Sequence, residues 1–378
     1  MPRQLTSNTL KTANTMTAND SLDQLIEQWI KPEIRSMTAY HVGDAQGMIK
    51  LDAMENPYNW DDDVVESWLA TLRNVHLNRY PDPSANQVKQ RLREMMDIPA
   101  SQDIVLGNGS DELIQLLALA VSAPGKTLLT VEPGFAMYRQ ITQVTELNYQ
   151  AVPLTANFDL DMPELLAQIE KQQPALVFLA QPNNPTGNLF GEDNIRQIIA
   201  AAPGLVVIDE AYTTFTEADY LPWLEQYNNV LVMRTLSKAG LAGLRLGLLV
   251  GHPRWIAELE KIRLPYNIGT LTQASAEFAL QNYEILRQQT DLICQERTVL
   301  YDGLNTIDEL TVWPSEANFI LFRTQQGRAE AIYNALRERH ILIRCLHGAH
   351  PLLADCLRVT VGSAAENQTF LKVLREVL

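Results

Sequence analysis

The chain has 378 residues, of which 46% are hydrophobic, and it carries a formal net charge of −15 at pH 7. A chain of this length can bury a large core and suits two or three structural units better than one. The acidic balance opposes binding to a polyanion, so a nucleic-acid partner is disfavoured. No run approaches about 20 apolar residues and no hydrophobic signal segment begins the chain, so the sequence predicts a cytoplasmic protein that does not enter a membrane.

The first part of the chain is predicted to lie outside the main fold. Residues 1–20 are rich in Thr and Asn, which predicts a disordered tail, and residues 21–50 are expected to pack as an arm with the second domain. Between residues 100 and 250, short apolar runs alternate with longer amphipathic segments. This alternation predicts an α/β domain over residues 51–267, with a mostly parallel sheet covered by helices. Its predicted strands include residues 127–131, 175–180, 205–208, 230–233 and 246–250.

From about residue 268 the sequence pattern changes to long helical stretches, with shorter strand candidates at residues 318–322, 341–344 and 357–361. A smaller α+β domain is therefore predicted for residues 268–378. The three cysteines, Cys294, Cys345 and Cys356, have no paired spacing, so free thiols in a reducing compartment are expected. The Cys and His residues between 345 and 356 match no zinc spacing, and no metal is expected.

Two residues that follow apolar runs point to one cofactor. Asp209 ends the run that begins at residue 205, and Lys238 comes shortly after the run 230–233. Strand ends can bring an amine and a carboxylate to one site, and this pair suits pyridoxal phosphate. The aldehyde of that cofactor needs an amine, and its ring nitrogen needs a carboxylate. Taken singly, each residue has a simpler explanation: Lys238 could be a solvated lysine, and Asp209 could belong to a turn or cap a helix.

A phosphate-binding loop is the second candidate feature. Two glycines precede the helix predicted to start at Ser110, where free backbone N–H groups and the helix dipole favour an anion. The loop lacks the third glycine of the dinucleotide fingerprint, and an ordinary capped turn is the alternative. Ser237 and Arg245 could reach the same phosphate. Asn184, in a loop at the same expected sheet edge, and Tyr212 could bond a ring oxygen.

Six strings in this order resemble the fold-type I aminotransferases that use pyridoxal phosphate: GNGSDE (107–112), QPNNPTG (181–187), VIDEAY (207–212), RTLSKA (234–239), GLAGLRLG (240–247) and LRVTVG (357–362). The resemblance covers nearly all of the chain after residue 30. Within that group, ENPY (55–58), RYPDP (79–83), GNGSDE and FAMY (135–138) are most similar to histidinol-phosphate aminotransferases.

The resemblance implies a role for each matching residue. Lys238 matches the lysine that holds the cofactor and moves the proton, Asp209 the acid at the ring nitrogen, and Phe135 the stacked aromatic. Asn184 and Tyr212 match the pair on the phenolic oxygen. The implied phosphate ligands are Gly109, Ser110, Asp111, Ser237 and Arg245, with Tyr80 from a neighbouring subunit, so a homodimer is implied as well. The implied substrate ligands are Arg358, for an oxyanion, and, more weakly, Tyr40, Asn56 and Arg344.

The implied reaction moves an amino group between L-histidinol phosphate and 2-oxoglutarate, giving imidazole acetol phosphate and glutamate in histidine biosynthesis. Another class I/II aminotransferase, acting on an aromatic or other amino acid, and a threonine-phosphate-type decarboxylase remain alternatives. A ligand-sensing regulator is less favoured, because only about 30 residues precede the resemblance. The loop from Lys238 to Arg245 is one residue shorter than usual, which leaves the reach of Arg245 open.

Overall fold

The computed structural model describes residues 22–39 and 43–378, so the predicted tail of residues 1–20 lies outside the described residues. The chain forms two compact units, Met1–Gly43 and Asp44–Leu378. In the first unit the described residues form helices α1 (Leu22–Trp29) and α2 (Pro32–Arg35). No helix in the described part of the chain is long and apolar enough to cross a membrane.

The second unit contains all the strands of the described residues. They are β1 (Ile49–Lys50), β2 (Asp103–Asn108), β3 (Thr127–Glu132), β4 (Asn148–Pro153), β5 (Leu176–Ala180), β6 (Leu205–Asp209), β7 (Val230–Thr235), β8 (Leu246–Gly251), β9 (Thr311–Val312), β10 (Phe319–Arg323), β11 (Ile341–Leu342), β12 (Arg344–Cys345) and β13 (Cys356–Thr360).

Eleven helices of the second unit cover and connect these strands. They are α3 (Asp62–Leu72), α4 (Asn86–Met95), α5 (Ser110–Val121), α6 (Ala136–Val144), α7 (Met162–Gln172), α8 (Glu192–Ala201), α9 (Pro253–Glu260), α10 (Thr270–Gln281), α11 (Tyr283–Asn305), α12 (Ala329–Glu338) and α13 (Ala364–Val377). The predicted helix start at Ser110 is confirmed.

The larger sheet has the strand order β2-β8-β7-β6-β5-β3-β4, and β8 runs opposite to the other six strands. Neighbouring residues of one strand enter different cores: Val206 and Ile208 join one apolar cluster, while Leu205 and Val207 join another. Side chains alternate across a strand, so both faces of the sheet are covered by helices. The predicted α/β class, with a mostly parallel sheet, is confirmed.

The smaller sheet has the order β12-β13-β10-β9 and is antiparallel. It shares a separate apolar cluster with residues of α11, α12 and α13. The single strand predicted at 341–344 is wrong, because it is broken at Ile343: β11 pairs with β1, whereas β12 pairs with β13.

The domain bounds remain predictions. Of the predicted arm 21–50, Ile49–Lys50 pairs with β11 in the C-terminal part of the chain. Directly after the boundary placed at residue 267, α10 packs against α3 and α4.

Candidate active site

The carboxyl ends of the parallel strands meet around one cavity. β5 ends at Ala180, β6 at Asp209 and β7 at Thr235, and all three residues line an open cavity of about 570 Å³. This is the edge of an open α/β sheet where ligands bind. The other lining residues are Met54, Ser110, Asp111, Phe135, Asn184, Ala211, Tyr212, Ser237, Lys238 and Arg245.

Asp209 is a buried carboxylate with two donors. The hydroxyl of Tyr138 donates to Oδ2 at 2.6 Å, and the backbone N–H of Ala211 donates to Oδ1 at 3.1 Å. Burial raises the pKa of Asp209 to about 6, because a charged carboxylate loses its hydration, while the two hydrogen bonds act in the opposite direction. The carboxylate is therefore held in place but is poised to gain a proton just below neutral pH.

Lys238 projects into the same cavity from the irregular helical turn Ser237–Leu241 that follows β7. Its Nζ donates to the carbonyl oxygen of Ala53 at 3.1 Å and lies 5.9 Å from the ring centroid of Tyr212. Burial, together with the nearby guanidinium of Arg358, lowers the pKa of Lys238 to about 8. The amine is thus far easier to deprotonate than an exposed lysine.

An anion cradle forms where β2 meets α5. Helix α5 begins at Ser110 with no side-chain hydrogen bond at its N-cap, and Ser110 and Asp111 line the cavity, so the N–H groups of its first turn are available to a ligand there. Gly109 has φ +81°, and a Cβ there would lie 2.5 Å from Nη2 of Arg245. That nitrogen is also 3.5 Å from Oδ2 of Asp111. N–H groups, a helix dipole and a guanidinium in one place favour an oxyanion.

The shorter loop does not remove Arg245 from the site. Arg245 follows the turn Ala242–Leu244 and adopts a left-handed backbone conformation with φ +50°. Its guanidinium lies against Gly109 and lines the cavity. Ser237 is buried beside it and accepts a hydrogen bond from Oγ1 of Thr235 at 3.0 Å.

A chain of hydrogen bonds runs from Arg358 of the smaller sheet to Asn184 and Tyr212, two residues that line the cavity. Nη1 of Arg358 in β13 donates to Oδ1 of Asn184 at 2.5 Å, and Nδ2 of Asn184 donates to the hydroxyl of Tyr212 at 2.9 Å. Nη2 of Arg358 donates to the carbonyl oxygen of Asp52 at 3.0 Å. The guanidinium is buried and held by the protein, which preorganises it for an anion.

Met54 forms another part of the cavity wall and is tied to the smaller sheet through its backbone. Its N–H donates to Oγ1 of Thr360 at 3.0 Å, and its carbonyl oxygen accepts from Nδ2 of Asn318 at 3.0 Å. These two bonds hold Met54 in a left-handed conformation with φ +54°.

Five of the predicted site residues that the structure describes are not among those that line this cavity: Gly109, Asn56, Tyr80, Arg344 and Arg358. Tyr80 is 80% exposed and stacks on Tyr266, with ring centroids 4.4 Å apart. Arg344 lies in β12, in register with Arg358 of β13. Nδ2 of Asn56 donates to the carbonyl oxygen of Ala239 at 3.1 Å, beside Lys238, and to Oε1 of Gln289 at 2.9 Å. Tyr40 lies outside the described residues.

The family model described as aminotransferase class I and II matches residues 46–374. The chain belongs to this family. It is 55% identical to a histidinol-phosphate aminotransferase 2 of Nitrosococcus oceani over 93% of this chain and 97% of that protein. It is 47% identical to a histidinol-phosphate aminotransferase of Chromobacterium violaceum, over 93% and 98% of the two chains.

A solved structure of histidinol-phosphate aminotransferase from Sinorhizobium meliloti, in complex with pyridoxal-5′-phosphate, superposes with a TM-score of 0.82. It is 26% identical and covers 93% of this chain and 98% of that one. The resemblance to fold-type I aminotransferases is thereby confirmed, and the chain is an aminotransferase of this fold.

Sequence reasoning missed four residues that line this aminotransferase cavity, Met54, Ala180, Ala211 and Thr235, and it missed Tyr138, which bonds Asp209. Tyr138 stands three residues after Phe135, one helical turn further along, and the spacing could have indicated that both approach the same site. Thr235 is the last residue of β7 and Met54 precedes the ENPY string, and neither residue type signals a cofactor site. Within the described residues no cluster of three or more His, Cys, Asp or Glu side chains could hold a metal ion.

Proposed function

We propose that this aminotransferase transfers the amino group between L-histidinol phosphate and 2-oxoglutarate with pyridoxal phosphate as cofactor. The observation that carries the proposal is the placement of Lys238, Asp209 and the anion cradle around one cavity. The names of relatives at 47–55% identity over nearly the whole chain support the choice of substrate.

The cavity fits the cofactor in both charge and shape. A phosphate would be held by the uncapped N–H groups at Ser110 and Asp111 and by the side chains of Ser237 and Arg245, and the missing Cβ of Gly109 lets the Arg245 guanidinium approach this loop. Phe135 would pack on the ring, and Asn184 and Tyr212 would bond its phenolic oxygen. When bound, pyridoxal phosphate supplies an aldehyde for amino groups and a ring that takes up the electrons left by a departing proton.

Lys238 is the general base and acid in this proposal. With a pKa of about 8, about a tenth of its side chains are neutral at pH 7, whereas an unperturbed lysine, with a pKa of about 10.4, has fewer than about one in a thousand. A neutral amine can take a proton from the substrate carbon and return it as an ammonium. Asp209 would stabilise positive charge at the ring nitrogen, and its burial would strengthen that interaction.

Substrate recognition is assigned chiefly to Arg358. The site must accept a phosphate from one substrate and a carboxylate from the other, and one guanidinium fork can bond either oxyanion. Arg344 is a second candidate for the substrate phosphate, since it lies in register with Arg358. Tyr40 and Asn56 are weaker candidates.

We also propose a homodimer in the cytoplasm. The support is the exposed stack of Tyr80 on Tyr266, together with Leu264, which lies two residues before Tyr266 and is 70% exposed. Exposed apolar clusters of this kind mark interaction sites, and in this assignment Tyr80 reaches the partner's cofactor phosphate. Light scattering on the purified protein gives the oligomeric state, and a monomer in the presence of pyridoxal phosphate contradicts this part.

The decisive assay is glutamate formation from histidinol phosphate and 2-oxoglutarate, alongside a screen of aromatic and other amino donors. We expect histidinol phosphate to give the highest kcat/KM. A Lys238→Ala variant should lose turnover and the borohydride-reducible cofactor absorption, while Lys261→Ala, which changes an exposed lysine, should retain both. Turnover of another donor alone, or release of CO₂, would refute the assignment in favour of a neighbouring aminotransferase or a decarboxylase.

A further inference from the structure

Tyr138 has no role in the proposed reaction, yet its hydroxyl contacts the carboxylate of Asp209. It belongs to α6, its side chain is 1% exposed, and its hydroxyl donates to Oδ2 of Asp209 at 2.6 Å. Its ring stacks on Phe178 with centroids 4.6 Å apart and an angle of 16° between the planes. The ring is therefore fixed by packing, and the hydroxyl is fixed by the carboxylate.

The direction of this hydrogen bond is set by the acidity of the two groups. Burial and the adjacent carboxylate raise the pKa of Tyr138 well above that of an ordinary tyrosine, so its hydroxyl keeps its proton. A hydroxyl that keeps its proton can stabilise an ionised acceptor strongly, and hydrogen bonds to charged groups are about twice as strong as neutral ones. Tyr138 therefore favours the charged form of Asp209.

Several other groups act on the same carboxylate. Lys238, in the turn after β7, favours its ionised form, whereas Asp111 at the start of α5 opposes it. Tyr212, which follows β6, is itself buried and faces Asp209. Since burial alone moves the acid toward neutrality, its charge near pH 6 depends on its two hydrogen-bond donors, the Tyr138 hydroxyl and one backbone amide.

We infer that Tyr138 is a positioning residue that keeps Asp209 ionised for the ring nitrogen of the cofactor. The inference rests on the proposed function, because only a cofactor with a basic ring nitrogen makes the charge on Asp209 matter. It is separate from cofactor stacking, for which Phe135 is the candidate.

The chain offers a matched control for this contact. Tyr149 in β4 is a partly buried tyrosine whose hydroxyl donates to Oε1 of Glu132 at 2.7 Å, and it does not line the cavity. Tyr138→Phe and Tyr149→Phe each remove one hydroxyl from a tyrosine–carboxylate pair and keep the ring. Only the first should act on Asp209.

The test compares two ligands on the full chain. Dissociation constants are measured by equilibrium dialysis at pH 6 and pH 8.5 for pyridoxal phosphate and for its analogue in which CH replaces the ring nitrogen. The ratio of the two constants isolates the interaction at the ring nitrogen, because the phosphate and aldehyde contacts are common to both. We expect Tyr138→Phe to reduce the preference for pyridoxal phosphate about tenfold at pH 6. The preference should recover by pH 8.5, and Tyr149→Phe should match the wild type throughout.

Two results would overturn the inference. If Tyr138→Phe raises the dissociation constants of both ligands by the same factor at every pH, the tyrosine contributes only to packing. An unchanged ratio at pH 6, in a variant whose circular dichroism shows a native fold, would show that Asp209 needs no help to stay ionised. A wild-type protein that does not bind pyridoxal phosphate would refute the proposed function and, with it, this inference. Because the wild type is measured first, that outcome is distinguished from a failure of the Tyr138 inference alone.

Discussion

Replacing Lys238 by methionine should stabilise the cofactor-free protein while abolishing its activity. Methionine keeps an unbranched apolar stem and removes the charge that the folded chain tolerates poorly. The pKa of Lys238 falls from the ordinary 10.5 to about 8 in the folded chain. At 1.36 kcal/mol for each pH unit, folding loses about 3 kcal/mol at pH 7 through this residue. The lost hydrogen bond to Ala53 offsets about 1 kcal/mol, which leaves a net gain of about 2 kcal/mol.

The sign of the pH dependence makes this prediction specific. The unfolded chain binds the lysine proton more tightly than the folded chain, so the destabilisation is complete below pH 8 and fades as the pH approaches 10.5. Urea unfolding at pH 7 and pH 10 should therefore show a gain for Lys238→Met at pH 7 that is nearly absent at pH 10. Lys261→Met, at an exposed site, should change stability by less than about 0.5 kcal/mol. A Lys238→Met variant no more stable than wild type at pH 7 would refute the reasoning.

Two further substitutions test the cradle and the anion site. Gly109→Ala should weaken pyridoxal phosphate binding about tenfold, because the residue has φ +81° and its Cβ would meet Arg245. Gly125→Ala also places an alanine at a positive φ, +80°, but with open space around it. Equal loss of cofactor by both variants in dialysis would contradict the cradle. Arg358→Gln should raise KM for 2-oxoglutarate roughly tenfold to a hundredfold in steady-state assays, and an unchanged KM would remove Arg358 from the substrate site.

The central sheet was predictable because its strands are buried on both faces. Runs such as Leu205–Asp209 are apolar throughout, and such runs between helical segments indicate parallel strands. β2 and β4 were not predicted. The residues Gly107 and Asn108 that end β2 indicated a loop, and β4 is an edge strand that is only partly buried and contains polar residues. The break at Ile343 could not be predicted either, because it depends on β1, a partner about 290 residues earlier in the chain.

The cavity was predictable to a similar degree. The carboxyl ends of parallel strands lie at one edge of a sheet. Asp209 and Lys238 both follow apolar runs, so the sequence predicted that they share one site. The hydrogen bond from Tyr138 to Asp209 joins residues 71 positions apart, and no local pattern specifies it. The orientation of Asn56 was equally hidden, because its partners Ala239 and Gln289 come from two distant segments.

The two backbone hydrogen bonds of Met54 have a mechanical consequence. Because Thr360 and Asn318 grip both its amide and its carbonyl, a displacement of β10 and β13 would pull this stretch of wall along with it. Arg358 rides on the same strand as Thr360. A shift of that strand would therefore move this part of the cavity wall and the Arg358 guanidinium together. The size of the cavity and the binding of a substrate's anionic end are coupled in this way.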